Sequence, residues 1–213
     1  MSLTGLFLIL FLIVHLLGNL QLLHDDEGQA FNLYARFMTT NPLIKVISYS
    51  LYTFILLHAI LGVVLWRQNR AARGNQAYAM TKVRAVNTNP GFAKNMAWLG
   101  IIVFVFLLIH MYQFWFQMHM DNVPYATYDG EEVKNLFEPV RVAFTDVTFV
   151  VFYVVCMVII GFHLWHGFQS AFQTLGINHQ KWSPVIRFLG KAYAIIIPAL
   201  FALIPIAFYI KYA

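Results

Sequence analysis

The sequence predicts an all-α membrane protein with five transmembrane helices, four of them in a bundle and the fifth on its flank. Three observations carry this. Sixty per cent of the 213 residues are hydrophobic and only 11% are charged, far from the balance of a soluble domain. Five apolar stretches are each long enough to cross a hydrocarbon core of about 30 Å at about 1.5 Å per residue. All the acidic residues fall in or beside two of the four connecting segments, and the other two carry basic charge alone.

The spans are expected at 3–23, 43–66, 96–118, 147–171 and 192–212, because within lipid each backbone group must bond inside its own helix. The first begins almost at Met1 without a basic leader or a small-residue cleavage site, so it reads as a mature helix and not a signal peptide. Asn41-Pro42, Asn89-Pro90 and Ser183-Pro184 each place a capping residue before a proline suited to the first helical position. Gly176 is a stop for the fourth helix. Pro198 and Pro205 lie two turns apart in the fifth, which predicts a kink that neighbouring helices compensate.

Arg67, Arg70, Arg73, Lys82, Arg84 and Lys94 join spans two and three, and Lys181, Arg187 and Lys191 join spans four and five, with no acid in either segment. The carboxylates, from Asp25, Asp26 and Glu27 through Asp121, Asp129, Glu131, Glu132, Glu138 and Asp146, occupy the other side. The positive-inside rule then puts the N-terminus in the cytoplasm and the C-terminus outside. Two outer segments read as short surface helices, one with Phe31, Tyr34, Ala35 and Met38 on a stripe, the other with Val133, Leu136, Phe137 and Val140, capped by Asp129 and Glu132. No repeat, low-complexity tract or linker divides residues 1–213, which read as one domain. Cys156 is the only cysteine, which excludes a disulfide framework or a thiolate cluster within the chain.

Ionisable residues inside a membrane are costly and usually functional. His15 lies eight residues from the outer end of span one and His110 eight from the outer end of span three; His58 and His163 lie eight from the inner ends of spans two and four. In an up-down-up-down bundle spans one and three are diagonal, as are two and four. His15 with His110, and His58 with His163, therefore face each other at two depths about 10 Å apart. Neutral imidazole is an ordinary axial ligand of haem iron, and two per iron close the metal to substrate, which favours electron transfer. The expected architecture is thus a four-helix haem-binding bundle plus the flanking fifth helix. Gly18, Gly62 and Gly167, each three or four residues after a histidine, offer room for a macrocycle. A single membrane histidine is equally explained by a hydrogen bond to a neighbouring helix, but four at matched depths are not. His166 is a competing ligand with a supporting role, whereas His24, His119 and His179 belong to membrane edges or a loop.

The segments FLIVHLLGN, LLHAILGVVLW, LLIHMYQFW and GFHLWHGFQSAFQTLG, one around each of the four histidines, resemble the succinate dehydrogenase and fumarate reductase cytochrome b family, in its single-subunit, five-helix, di-haem form, the cytochrome b558 family. The resemblance covers nearly the whole chain, although many relatives carry a polar segment before the first helix. It implies two haem b groups, the outer on His15 and His110 and the inner on His58 and His163. It also implies a flavoprotein subunit and an iron-sulfur subunit on the cytoplasmic face of a bacterial inner membrane, with electrons passing to or from menaquinone. The chemistry on succinate or fumarate would belong to the flavoprotein. Lipid and quinone, not nucleic acid, are the expected partners within the membrane. Asn19, His24, Asp25, Asp26, Gln113, Gln117 and His119 are candidate quinone or proton-handling groups near the outer level, where Tyr112 and Trp115 read as interfacial aromatics. Alternatives are a di-haem cytochrome b serving a hydrogenase or formate dehydrogenase, a proton-coupled transporter with a histidine relay, and a haem-free anchor.

Overall fold

The computed structural model describes residues 1–74, 95–177 and 179–213, with the Arg73 side chain left out. The cap expected at Asn89-Pro90 and the basic side chains of Arg73, Lys82, Arg84 and Lys94 lie outside the described residues. Long helices run over Ser2–Leu20 (α1), Pro42–Arg73 (α3), Met96–His119 (α4), Val147–Thr174 (α6) and Ser183–Tyr212 (α7), with short helices at Gln29–Thr40 (α2) and Phe137–Phe144 (α5). Among the described residues the five long helices are each apolar enough to cross a membrane. The protein is an all-α membrane protein.

Four of the long helices close a square in which α1 packs on α3, α3 on α4, α4 on α6 and α6 on α1; α7 lies against α6 and α1. The diagonals are therefore α1 with α4 and α3 with α6. One apolar cluster, including Leu22, Phe106, Phe144, Tyr153 and Phe208, closes the end of the bundle nearest α5. A smaller one, around Ile9, Leu164 and Ala194, joins α1, α6 and α7. Neither cluster draws a buried residue from α3.

Local chemistry sets the helix ends. The Asn41 side chain accepts from the backbone N–H groups of Leu43 and Ile44, with Pro42 at the first turn, as its sequence predicts. Helix α6 stops at Gly176, whose φ of 75° lets Gly176 N donate to Gln173 O and Ile177 N to Phe172 O. At the start of α7 the expectation is off by one residue: Trp182 holds the cap position and Ser183 is already helical. Its hydroxyl instead accepts from His179 N. Helix α7 begins nine residues before the predicted apolar span, which starts at residue 192, since hydropathy marks the lipid-facing part of a helix and not its hydrogen-bonded ends. It continues through Pro198 and Pro205, both buried.

Proline at 198 deprives the Ala194 carbonyl of its partner four residues on. Gly161 of α6 packs there, so closely that a methyl group added to it would lie 3.0 Å from Ala194 O. A glycine of α6 thus meets the freed carbonyl of α7.

The second predicted surface helix is corrected. Residues 125–134 form an antiparallel hairpin, Tyr125–Tyr128 against Glu131–Lys134, and the helix begins only at Phe137. Asp129 and Gly130 make a two-residue turn with φ values of 51° and 83°, the left-handed pair that joins hairpin strands with the correct twist. Asp129 and Glu132 therefore shape the hairpin and cap no helix. The first surface helix is α2, as expected. Asn32 of α2 is fully buried and ties the parts together: its Nδ2 donates to Tyr128 Oη and Asn135 Oδ1, and its Oδ1 accepts from Leu136 N and Phe137 N. Arg36 pairs with Glu131, Lys134 with Asp121 at 2.9 Å, and Lys211 with Asp25 at 2.6 Å. One end of the bundle thus carries a folded, acid-rich cap. The opposite end carries Arg67, Arg70, Lys181, Arg187 and Lys191.

Candidate cofactor-binding site

Each helix of the square contributes one histidine, and the rings meet along the diagonals. His15 and His110 lie 5.9 Å apart between ring centroids at an interplanar angle of 85°; His58 and His163 lie 6.4 Å apart at 71°. The two pairs sit at different depths. Gly5 of α1 lies under the His58 ring, a methyl there being 3.4 Å from Cε1, and Gly100 of α4 lies 3.7 Å from His163 Cε1 on the same measure. Gly5 precedes His15 by ten residues and Gly100 precedes His110 by ten. Ten residues of helix rise about 15 Å. The levels are therefore further apart than the 10 Å expected from span ends, which hydropathy locates only loosely.

These spacings fit an iron between each pair. An imidazole nitrogen binds a first-row metal at about 2 Å, which puts two axial ring centroids roughly 6 Å apart. The Nδ1 atoms of His110 and His163 are buried without a hydrogen-bond partner, so a hydrogen bond from that nitrogen to a neighbouring helix does not account for these two rings. Among the described residues no three His, Cys, Asp or Glu side chains converge. The donor set suits a metal whose remaining ligands come from a macrocycle, and not a bare ion.

The two sites differ in what surrounds them. Thr4 Oγ1 donates its proton to Met1 O at 2.7 Å and lies 3.2 Å from His58 Nδ1. With its one proton committed, the hydroxyl can only accept from the ring, so His58 carries its proton on Nδ1 and keeps the Nε2 lone pair free. Asn19 Nδ2 lies 2.8 Å from His15 O and 3.3 Å from His15 Nδ1. An amide nitrogen only donates, so this bond is given up when His15 Nδ1 holds the proton. Around His15 and His110 the lining is aromatic, with Phe11, Phe106, Phe114, Tyr153 and Phe201 all within 6.2 Å between centroids of one or the other. Beside His58 and His163 stand Gly5 and Gly100. The spare room predicted at Gly18 is instead filled by the Tyr34 ring of α2, and Gly62 faces the Met1 side chain at 3.5 Å. Gly167 alone of those three has open space within 4 Å.

The remaining candidates separate by role. Asn19 touches His15. Gln113 lies in a π-helical turn, Met111–Phe116, directly after His110, and its Oε1 accepts from Tyr153 Oη at 2.6 Å. Such turns recur at functional sites. Asp26 uses both carboxylate oxygens on Gly28 N and Ala30 N, starting α2, and Asp25 pairs with Lys211, so both serve the cap. Gln117 donates to Tyr112 O and accepts from Asn122; His119 stacks on Trp115 at 4.1 Å with Nδ1 on Trp115 O. His24 is exposed at the end of the first span, and His179 shapes the turn before α7. His166 is half-buried beyond His163 and belongs to neither pair.

Thr4, Gly5, Gly100 and Tyr153 are site residues that sequence reading missed. A spacing signal exists, since Gly5, Gly100 and Tyr153 each stand ten residues before a paired histidine.

Fold and site together define a multi-pass helical membrane protein with two depth-separated imidazole pairs. No family model matches the chain, and neither curated proteins nor solved structures give a match to it.

Proposed function

We propose that the chain is a di-haem cytochrome b, the membrane anchor of a succinate:quinone oxidoreductase, passing electrons between an iron-sulfur subunit and membrane menaquinone. The observation that carries this is the meeting of His15 with His110 and of His58 with His163 at the centroid spacing of bis-imidazole iron. Bound haem would supply one-electron transfer between the two depths of the membrane. The chain's own contribution is to hold each ring pair and to fix the His58 tautomer through Thr4. It also keeps water from the His15 and His110 level behind the aromatic lining. The basic end, cytoplasmic by the positive-inside rule, is the face for the flavoprotein and iron-sulfur subunits. Asn19 and Gln113, beside the His15 and His110 pair, are the quinone-side candidates. The setting is a bacterial cytoplasmic membrane with the N-terminus inside.

A reduced-minus-oxidised spectrum with haem quantification on the purified protein tests the reading. Two b-type haems per chain are expected. His15→Ala or His110→Ala should remove one spectral component and His58→Ala or His163→Ala the other. Absence of haem, or one haem lost in all four variants, refutes it. Co-purification of a flavoprotein and an iron-sulfur protein with succinate dehydrogenase activity separates this assignment from a hydrogenase or formate dehydrogenase anchor.

A further inference from the structure

A groove of about 260 Å³ runs between α6 and α7, lined by Met157, Gly161, Trp165, Ala194, Pro198 and Ala202 among others. Val158, Phe162 and Ile195 are exposed along its rim, so it opens sideways to lipid. Its floor is the close contact of Gly161 with Ala194 O, where the two backbones come too near for larger side chains to fill the space.

One end of the groove is charged. Lys191 Nζ sits 5.5 Å over the Trp165 ring. Arg187 stands four residues before Lys191 and Ile195 four after, one stripe of α7 leading into the groove. No acid occurs between residues 147 and 213, and among the described residues neither Arg187 nor Lys191 forms an ion pair. The eleven helical steps from Lys191 to Ala202 rise about 16 Å, half of a hydrocarbon core of about 30 Å. The apolar path therefore begins at a cationic interface and ends near mid-membrane, the depth of one leaflet.

We propose that this groove is a binding site for one anionic phospholipid of the leaflet at the basic end, an acyl chain lying against Gly161 and Pro198 and the phosphate held by Lys191 and Arg187. Charge complementarity selects this occupant. Cations gathered at one membrane face favour anionic headgroups, whereas a zwitterionic lipid offsets that attraction with its own ammonium and an uncharged isoprenoid tail makes no use of it. The site is separate from the histidine pairs and does not depend on what they hold.

Native mass spectrometry of the detergent-solubilised full chain, titrated with equal amounts of dioleoyl phosphatidylglycerol and dioleoyl phosphatidylcholine, tests it. Each cation near an anionic headgroup contributes roughly fivefold, so the first adduct should favour phosphatidylglycerol by roughly 25-fold. Arg187→Gln with Lys191→Gln should bring the ratio near one, and Ala199→Phe, which fills the groove and keeps the charges, should weaken retention of the same adduct. Arg67→Gln with Arg70→Gln, at the same membrane face on α3, should leave the preference intact. The proposal is overturned by equal binding of the two lipids, by a preference that survives the α7 substitutions, or by an equal loss in the α3 control, which would mean diffuse surface charge. It is overturned as well if Ala199→Phe removes a co-purified neutral quinone from the mass spectrum while the charge variants change nothing. Retained elution volume and helical circular dichroism show that each variant is folded.

Discussion

Replacing Thr4 with valine keeps the shape of a side chain only 9% exposed and removes its hydroxyl, the group that accepts from His58 Nδ1 at 3.2 Å. An acceptor on Nδ1 makes Nε2 a stronger donor, which stabilises ferric over ferrous iron. Valine should therefore raise the midpoint potential of the haem proposed between His58 and His163. A hydrogen bond of this kind contributes about 1 kcal/mol, and if it acts fully on one oxidation state the rise is about 40 mV for a one-electron couple. Haem retention through detergent washing should fall as well, since a lost outer partner typically costs 10- to 100-fold in metal affinity. A spectroelectrochemical titration of the purified protein, resolving the component that His58→Ala abolishes, measures the shift; Thr4→Ser should restore it. An unchanged potential for that component, or a shift confined to the component that depends on His15, would refute the tautomer assignment.

Three further outcomes follow from the fold. Asn32→Ala strands Leu136 N and Phe137 N and releases Tyr128 and Asn135; at about 1–3 kcal/mol for an unsatisfied buried polar group, hydrogen exchange should accelerate across the hairpin and α5 while haem content holds. Gly161→Val must push α6 from α7, because its Cβ would stand 3.0 Å from Ala194 O; overpacking of this order costs about 1–3 kcal/mol, read as a lower Tm in a thermal unfolding series. The Lys211 ammonium holds the Asp25 carboxyl below the usual carboxylate range. A depressed folded pKa gives stability that is present above the ordinary carboxylate pKa and fades as pH falls through the depressed one. Acidification below about pH 4 should therefore loosen the contact between the α1–α2 segment and the end of α7, and Asp25→Asn should abolish that pH dependence in hydrogen exchange.

The five spans and the pairing of rings across diagonals are legible in the sequence because both rest on one-dimensional quantities. Apolar length marks a span, and residue count from its end marks depth. The hairpin was hidden by competition between two patterns over the same residues. Val133, Leu136, Phe137 and Val140 satisfy a helical stripe, but Asp129-Gly130 supplies a left-handed turn, and pairing of Tyr125–Tyr128 with Glu131–Lys134 prevails over helix until Phe137. Thr4 and Gly5 could not be assigned to His58 without knowing that α1 packs on α3. Gly18 misled for the same reason: a glycine next to a histidine on a helix says where space is available, not what fills it, and here it is Tyr34 from a surface helix.

The square also shows how one chain can hold two chemically similar ring pairs in unlike surroundings. Only 6% of the most apolar stretch is buried in each of α3 and α4, against 28% in α6 and α7, so the packing that fixes the bundle is concentrated on the α6–α7 side. Helices α3 and α4 nevertheless carry His58 and His110, and polar contacts add to their packing: Trp115 Nε1 donates to Tyr52 Oη at 2.8 Å near the acidic cap, and Thr4 meets His58 nearer the other end. At the acidic end the pair is lined by aromatic rings beside a π-turn, and at the basic end Gly5, Gly100 and the Thr4 hydroxyl stand beside the rings. Burial, polarity and hydrogen bonding to the ligand are the means by which a protein tunes a bis-imidazole iron. Differences between the ends would set the two proposed haems at different potentials, which the identical ligands alone could not.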